Sequence, residues 1–148
     1  MSDTSPQPNA TPAPDEIARV RGVVASRGLA GAANDTKWGR LLDAMRQRSA
    51  WCPSFRYKCV DGPASNWDTE WWYHVPLPMI SVEWLDISLT QPVQRGMLLE
   101  SESIDHSAWI VTLLDECRFC YDMVGDVIRI HGYLPKSFDL LDDRNTCG

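Results

Sequence analysis

Residues 67–89, WDTEWWYHVPLPMISVEWLDISL, decide how the rest of the chain is read. Glu70 to Val75 and Val82 to Leu89 are each rich in aromatic and β-branched residues, and Pro76 and Pro78 lie between them. Proline has no amide hydrogen to give to a sheet, so no central strand can run through both positions. The segment therefore reads as two strands and a connection. Trp71, Tyr73 and Val75 share one face of the first strand, and Glu70, Trp72 and His74 the other. In the second, Val82, Trp84 and Asp86 alternate with Glu83, Leu85 and Ile87.

Upstream, Phe55, Tyr57 and Cys59 alternate in a further strand that ends at Asp61-Gly62-Pro63, a turn sequence. Before it, Trp38, Leu41, Leu42 and Met45 recur at helical spacing behind Asn34 or Asp35 as a cap. Downstream, Ile110, Leu113, Leu114 and Cys117 form the stripe of a second helix, with Asp105 as its cap and Ile104 and Trp109 placed as a hydrophobic staple. Cys120 to Met123 and Val127 to Tyr133 flank Gly125-Asp126 as a hairpin. The order α-β-β-β-α-β-β predicts an α+β fold. Its mainly antiparallel sheet has about five strands, with two or three helices on one face.

The expected organisation is an arm, a short segment, one domain and a tail. Residues 1–14 hold four prolines and no bulky apolar residue beyond Met1, too little apolar surface to offset the entropy of ordering them. They have neither the basic start nor the apolar run of a signal peptide. Residues 15–33 read as a short helix or a linker, with Ile17, Val20 and Val24 at helical spacing and Gly22 and Gly28 against it. Residues 34–135 form the domain, and 136–148 read as an acidic tail that can dock through Phe138 and Leu140.

The net charge is −6, unevenly spread. Residues 1–60 carry nine Lys/Arg against five Asp/Glu (+4); residues 61–148 carry five against fifteen (−10). Such an acidic half repels nucleic acid and membrane surfaces and attracts basic partners. No stretch approaches the ~20 apolar residues of a membrane span. The five cysteines, an odd count, read as reduced thiols in a cytoplasmic protein.

The blocks NDTKW (Asn34 to Trp38), WDTEWWYH (Trp67 to His74), VEWLDI (Val82 to Ile87) and IRIHGY (Ile128 to Tyr133) resemble a bacterial domain-of-unknown-function family. That family has a W-D-x-E-W-x-Y-H core and an I-R-I-x-G-Y closing strand. The resemblance runs from about Asn34 to Leu134 and brings no catalytic residues with it.

Three constellations bear on function. Asp68, Glu70 and His74, with Glu83 across the expected hairpin, can hold a divalent metal or do acid–base work. The commoner explanation for one histidine among acids is a salt bridge on a sheet face. Cys117-x-x-Cys120 lacks the second pair that a structural zinc site needs, and Cys117 matches a packing stripe. The third is a load of seven tryptophans. Trp71 and Trp72 in succession on a strand aim one indole at each face, and a ring left bare beside carboxylates is the material of protein-binding hot spots. The competing explanations are a sheet covered on both faces and a homodimer.

No nucleophile elbow, phosphate-cradling loop or cofactor motif is present. The sequence thus points away from an enzyme. It points to an immunity-type protein that occludes the active site of a cognate toxin, such as a nuclease with a basic cleft. Trp67, Asp68, Glu70, Trp72, Glu83 and Asp86 are the expected contact residues, with Glu100 and Glu102 on the rim. The alternatives are a small metal-dependent hydrolase built on Asp68, Glu70, His74 and Glu83, and a homo-oligomeric adaptor.

Overall fold

The computed structural model describes residues 14–93 and 102–141. The arm up to residue 13, residues 94–101 with Glu100, and the tail from residue 142 with Cys147 lie outside that range.

Helix α2, Asp35–Arg46, begins at Asn34, whose side chain accepts a hydrogen bond from the Lys37 amide at 2.9 Å. Its stripe of Trp38, Leu41, Leu42 and Met45 is buried. Helix α1, Pro14–Arg27, precedes it and buries Val20, so the short segment is helical as far as Arg27. It leads to a two-residue strand, β1 (Ala30–Gly31). After α2 come β2 (Phe55–Cys59), β3 (Val82–Ser88), β4 (Thr90–Val93) and β5 (Glu102–Asp105). Helix α3 (Ser107–Glu116) and strands β6 (Tyr121–Val124), β7 (Val127–His131) and β8 (Tyr133–Leu134) complete the described chain.

The fold is α+β with antiparallel pairing throughout. The central sheet has four strands in the order β2-β3-β7-β6, and β1-β8 and β4-β5 form two small ribbons. Leu85 and Ile87 of β3 meet Tyr57 and Phe55 on one side and Ile130 and Ile128 on the other. This face joins the stripes of α2 and α3 in the core, where Cys117 is also buried.

Two expected elements differ. Glu70 to Val75 is not a strand but a run of turns. Asp68 Oδ1 accepts from the Glu70 amide at 2.8 Å, and Glu70 Oε1 accepts from the Trp72 amide at 2.8 Å. Side chains that capture nearby amides in this way compete with a sheet ladder. The staple before α3 is also absent: Ile104 is exposed on β5, and the Trp109 indole donates to His106 at 2.8 Å. Asp105 Oδ1 does accept from the Ser107 amide, at the expected helix start. The β4-β5 ribbon went unforeseen because every residue of β5 is exposed, which leaves no burial period to read.

The second face of the central sheet was expected to be bare. It is covered. Arg129 Nη1 donates to the Ser137 carbonyl at 2.9 Å, Phe138 packs edge-on against His131, and Leu141 is fully buried. The segment read as an acidic tail that can dock therefore does so as far as it is described. Leu141, rather than Leu140, enters the fold, and Leu140 adopts φ 74° as the chain turns.

Gly132, between β7 and β8, is where backbones meet. Its amide donates to Glu83 O at 2.8 Å and its carbonyl accepts from Ala32. A Cβ here would lie 2.1 Å from Val82 O, so no other residue fits without moving backbone.

Candidate functional site

The residues singled out from the sequence divide between two regions that the fold keeps apart. On the covered sheet face, Arg129 straddles Asp86, with Nε to Oδ1 at 2.7 Å and Nη2 to Oδ2 at 2.9 Å. Arg56 Nε adds a third bond to Oδ2 at 2.8 Å. Asp86 and Arg129 have no exposed surface at all. The Arg129 guanidinium lies 3.6 Å over the Trp84 ring, and Trp67 closes over Arg56 at 4.8 Å. Glu83 is likewise enclosed, held by Arg27 at 2.8 Å and Lys58 at 3.0 Å. Burial works against the Glu83 carboxylate, yet these hydrogen bonds hold its pKa below the ordinary value.

Glu83 and Asp86 therefore leave the expected contact set. A partner docking from outside cannot reach them, because cations from β2, β7 and α1 already answer their charge. The same face holds His131, whose Nε2 lies 2.8 Å from Asp122 Oδ2, with Lys136 at 3.0 Å from that oxygen. Burial holds the His131 imidazole below the ordinary histidine value, more strongly than Asp122 raises it. Arg56 Nη2, Trp84 Nε1 and His131 Nδ1 are buried here without hydrogen-bond partners. An arginine inside the apolar run VIRIH was the available signal for this network, since a guanidinium in a central strand needs an acid beside it.

The second region is the loop 67–77. Trp71 anchors it from behind: its ring packs on Phe55 at 4.4 Å, and its indole donates to the Pro53 carbonyl at 2.9 Å. Phe55 and Asp68 exchange backbone hydrogen bonds at 2.8 Å, and Arg46 Nε donates to the Trp71 carbonyl at 3.0 Å. Asp68 also meets His74 Nδ1 at 2.7 Å. The Glu70 amide, and after it His74, hold the Asp68 pKa below the usual carboxylate value. From this fixed base Trp72 (45% exposed), Tyr73 (56%) and Leu77 (41%) project outward. Tyr73 and Leu77 escaped the sequence reading because a strand would have turned Tyr73 inward.

Of the eight expected contact residues, Asp68, Glu70 and Trp72 stand together on this loop. Trp67 belongs to the same stretch but serves as a lid on Arg56. Glu102 is exposed on β5, and Glu100 falls outside the described residues. The quartet of Asp68, Glu70, His74 and Glu83 is not assembled, because the strand that would have aligned it does not exist. Among the described residues no group of three His, Cys, Asp or Glu side chains is placed to hold a metal ion. Among them, too, no helix is long and apolar enough to cross a membrane.

A family model covers residues 20–137, most of the chain and both regions. The chain belongs to a family of unknown function, DUF6678. No curated protein and no solved structure matches it. The family segment takes in the whole central sheet and the 67–77 loop, and begins inside α1.

Proposed function

We propose that the chain is a protein-binding factor of the immunity type, a cytoplasmic bacterial protein that neutralises a cognate toxin by covering its active site. One observation carries this reading: Trp72, Tyr73 and Leu77 stand exposed within six positions of one another on a loop braced from behind. Large side chains held in place lose little entropy on binding, and aromatic anchors of this kind dominate interface energies. Asp68 and Glu70 lie beside them, with Glu102 as a further exposed acid on β5. The excess of acid after residue 60 favours a basic partner, for which a nuclease cleft is the working example, and speeds encounter with it.

The test is co-expression with the products of adjoining reading frames. A neighbour that is toxic alone should be neutralised by the intact chain and not by the Trp72→Ala/Tyr73→Ala double variant, whose fold is checked by circular dichroism. Neighbours that are harmless, or a double variant that protects as well as the original, defeat the reading. A stable dimer that dissociates in the double variant assigns the loop to self-association instead.

A further inference from the structure

Between the α2–β2 connection, the end of β3 and the β4-β5 ribbon lies a half-open depression of about 490 Å³. That size is within the range of small-molecule sites. Its wall carries five hydroxyls, from Ser54, Thr69, Ser88, Thr90 and Ser103, and the indole of Trp51. Cys52 and Pro92 are also in it, and among the described residues no lining side chain carries a formal charge. We propose that this depression binds a small neutral polyhydroxylated molecule, a mono- or disaccharide, with Trp51 as its stacking platform.

Chemistry of the wall selects this class. A hydroxyl both donates and accepts, so it matches sugar hydroxyls in either sense. None of the five makes a hydrogen bond within the described protein, and all are therefore available. An anion would find no cation among the described lining residues, and a purely apolar ligand would strand the hydroxyls. The Cys52 thiol donates to the Met45 carbonyl at 3.2 Å, and burial raises its pKa, so it presents an inert surface rather than a nucleophile.

The wall is also built in place. The Ser88 amide donates to Ser54 O at 3.0 Å, and Ser103 is registered against Pro92. Trp51 stacks on His106 at 4.1 Å with 21° between planes. His106 Nδ1 accepts from the Trp109 indole at 2.8 Å, which leaves its Nε2–H to donate to Gln91 Oε1 at 2.8 Å. That pattern requires a neutral imidazole. Burial and the charge of Arg48 hold the His106 pKa below its ordinary value, in the same sense. Arg48 lies 3.8 Å over Trp109 and donates to the Trp51 carbonyl at 2.9 Å. Trp51 is thus pinned through its backbone and one ring face, and preorganised for a ligand.

The experiment titrates the full chain with glucose, galactose, N-acetylglucosamine and maltose, followed by tryptophan fluorescence and saturation-transfer NMR. At least one should bind saturably with Kd of about 10 mM or tighter, and Trp51→Ala should weaken it at least about tenfold. Thr90→Val, on the half-buried strand β4, should do likewise, and it carries the test if Trp51→Ala fails to fold. Glucose 6-phosphate should bind more weakly than glucose. Absence of saturation with all four sugars overturns the proposal, as does undiminished binding in folded Thr90→Val or a preference for the phosphorylated sugar. Trp72→Ala should leave sugar binding unchanged, so this idea and the toxin-binding reading fail separately.

Discussion

Loop 67–77 and the covered face of the central sheet have similar composition, tryptophans beside carboxylates, and opposite fates. In the loop, Asp68 and Glu70 spend their oxygens on local amides and a neighbouring histidine, and Trp72 is left outside. On the sheet, Asp86 meets an arginine 43 positions away in sequence, and Trp84 is sealed beneath that guanidinium. A carboxylate in contact with its own turn holds a shape. One in contact with a distant cation holds the fold together.

If that contrast is real, stability should depend on the sheet and recognition on the loop. The largest effect should come from Asp86→Asn, which leaves Arg56 and Arg129 buried without a counter-charge and should cost about 3–5 kcal/mol in urea unfolding. A loss under about 1 kcal/mol would mean that water reaches this face and that the contrast is false. Gly132→Ala should follow, at about 1–3 kcal/mol, because backbone must move to admit the methyl group.

A smaller effect should appear on acidification. Burial holds both His131 and His106 below the ordinary histidine value. As pH falls below about 6.5 the unfolded chain takes up protons that the folded one refuses, so stability is full above that value and declines below it. The urea midpoint should therefore drop between pH 7 and pH 5. A midpoint that rises over this window would place the imidazoles in the charged form. Least affected should be Trp72→Ala/Tyr73→Ala, whose unfolding free energy should stay within about 0.5 kcal/mol of the original even as partner neutralisation is lost. A large drop in stability would show the two rings to be packing groups and would merge the two regions into one.

Much of the architecture was legible because its signals are local. Asn34 and the stripe of α2, the stripe of α3, and the hairpin around Gly125-Asp126 all follow from periods and turn residues within a few positions. The site was only partly legible. Alternation puts Trp71 and Trp72 on opposite sides, and Trp72 is exposed, but on a loop rather than a strand. Glu83 and Asp86 have the charge of surface residues and are buried. Alternation shows that two residues lie on opposite faces without showing which face meets water.

The sequence by itself determined both main helices, most of the central sheet, the antiparallel α+β class and the excess of acid, since these depend on neighbours in the chain and on composition. Only the tertiary structure decided which acids are answered from within and which indoles remain outside. The answer to Asp86 comes from β2 and β7, and the cover over that face from residues after 136. A charge's environment is set by whatever distant segment arrives beside it, and no short window of sequence carries that information.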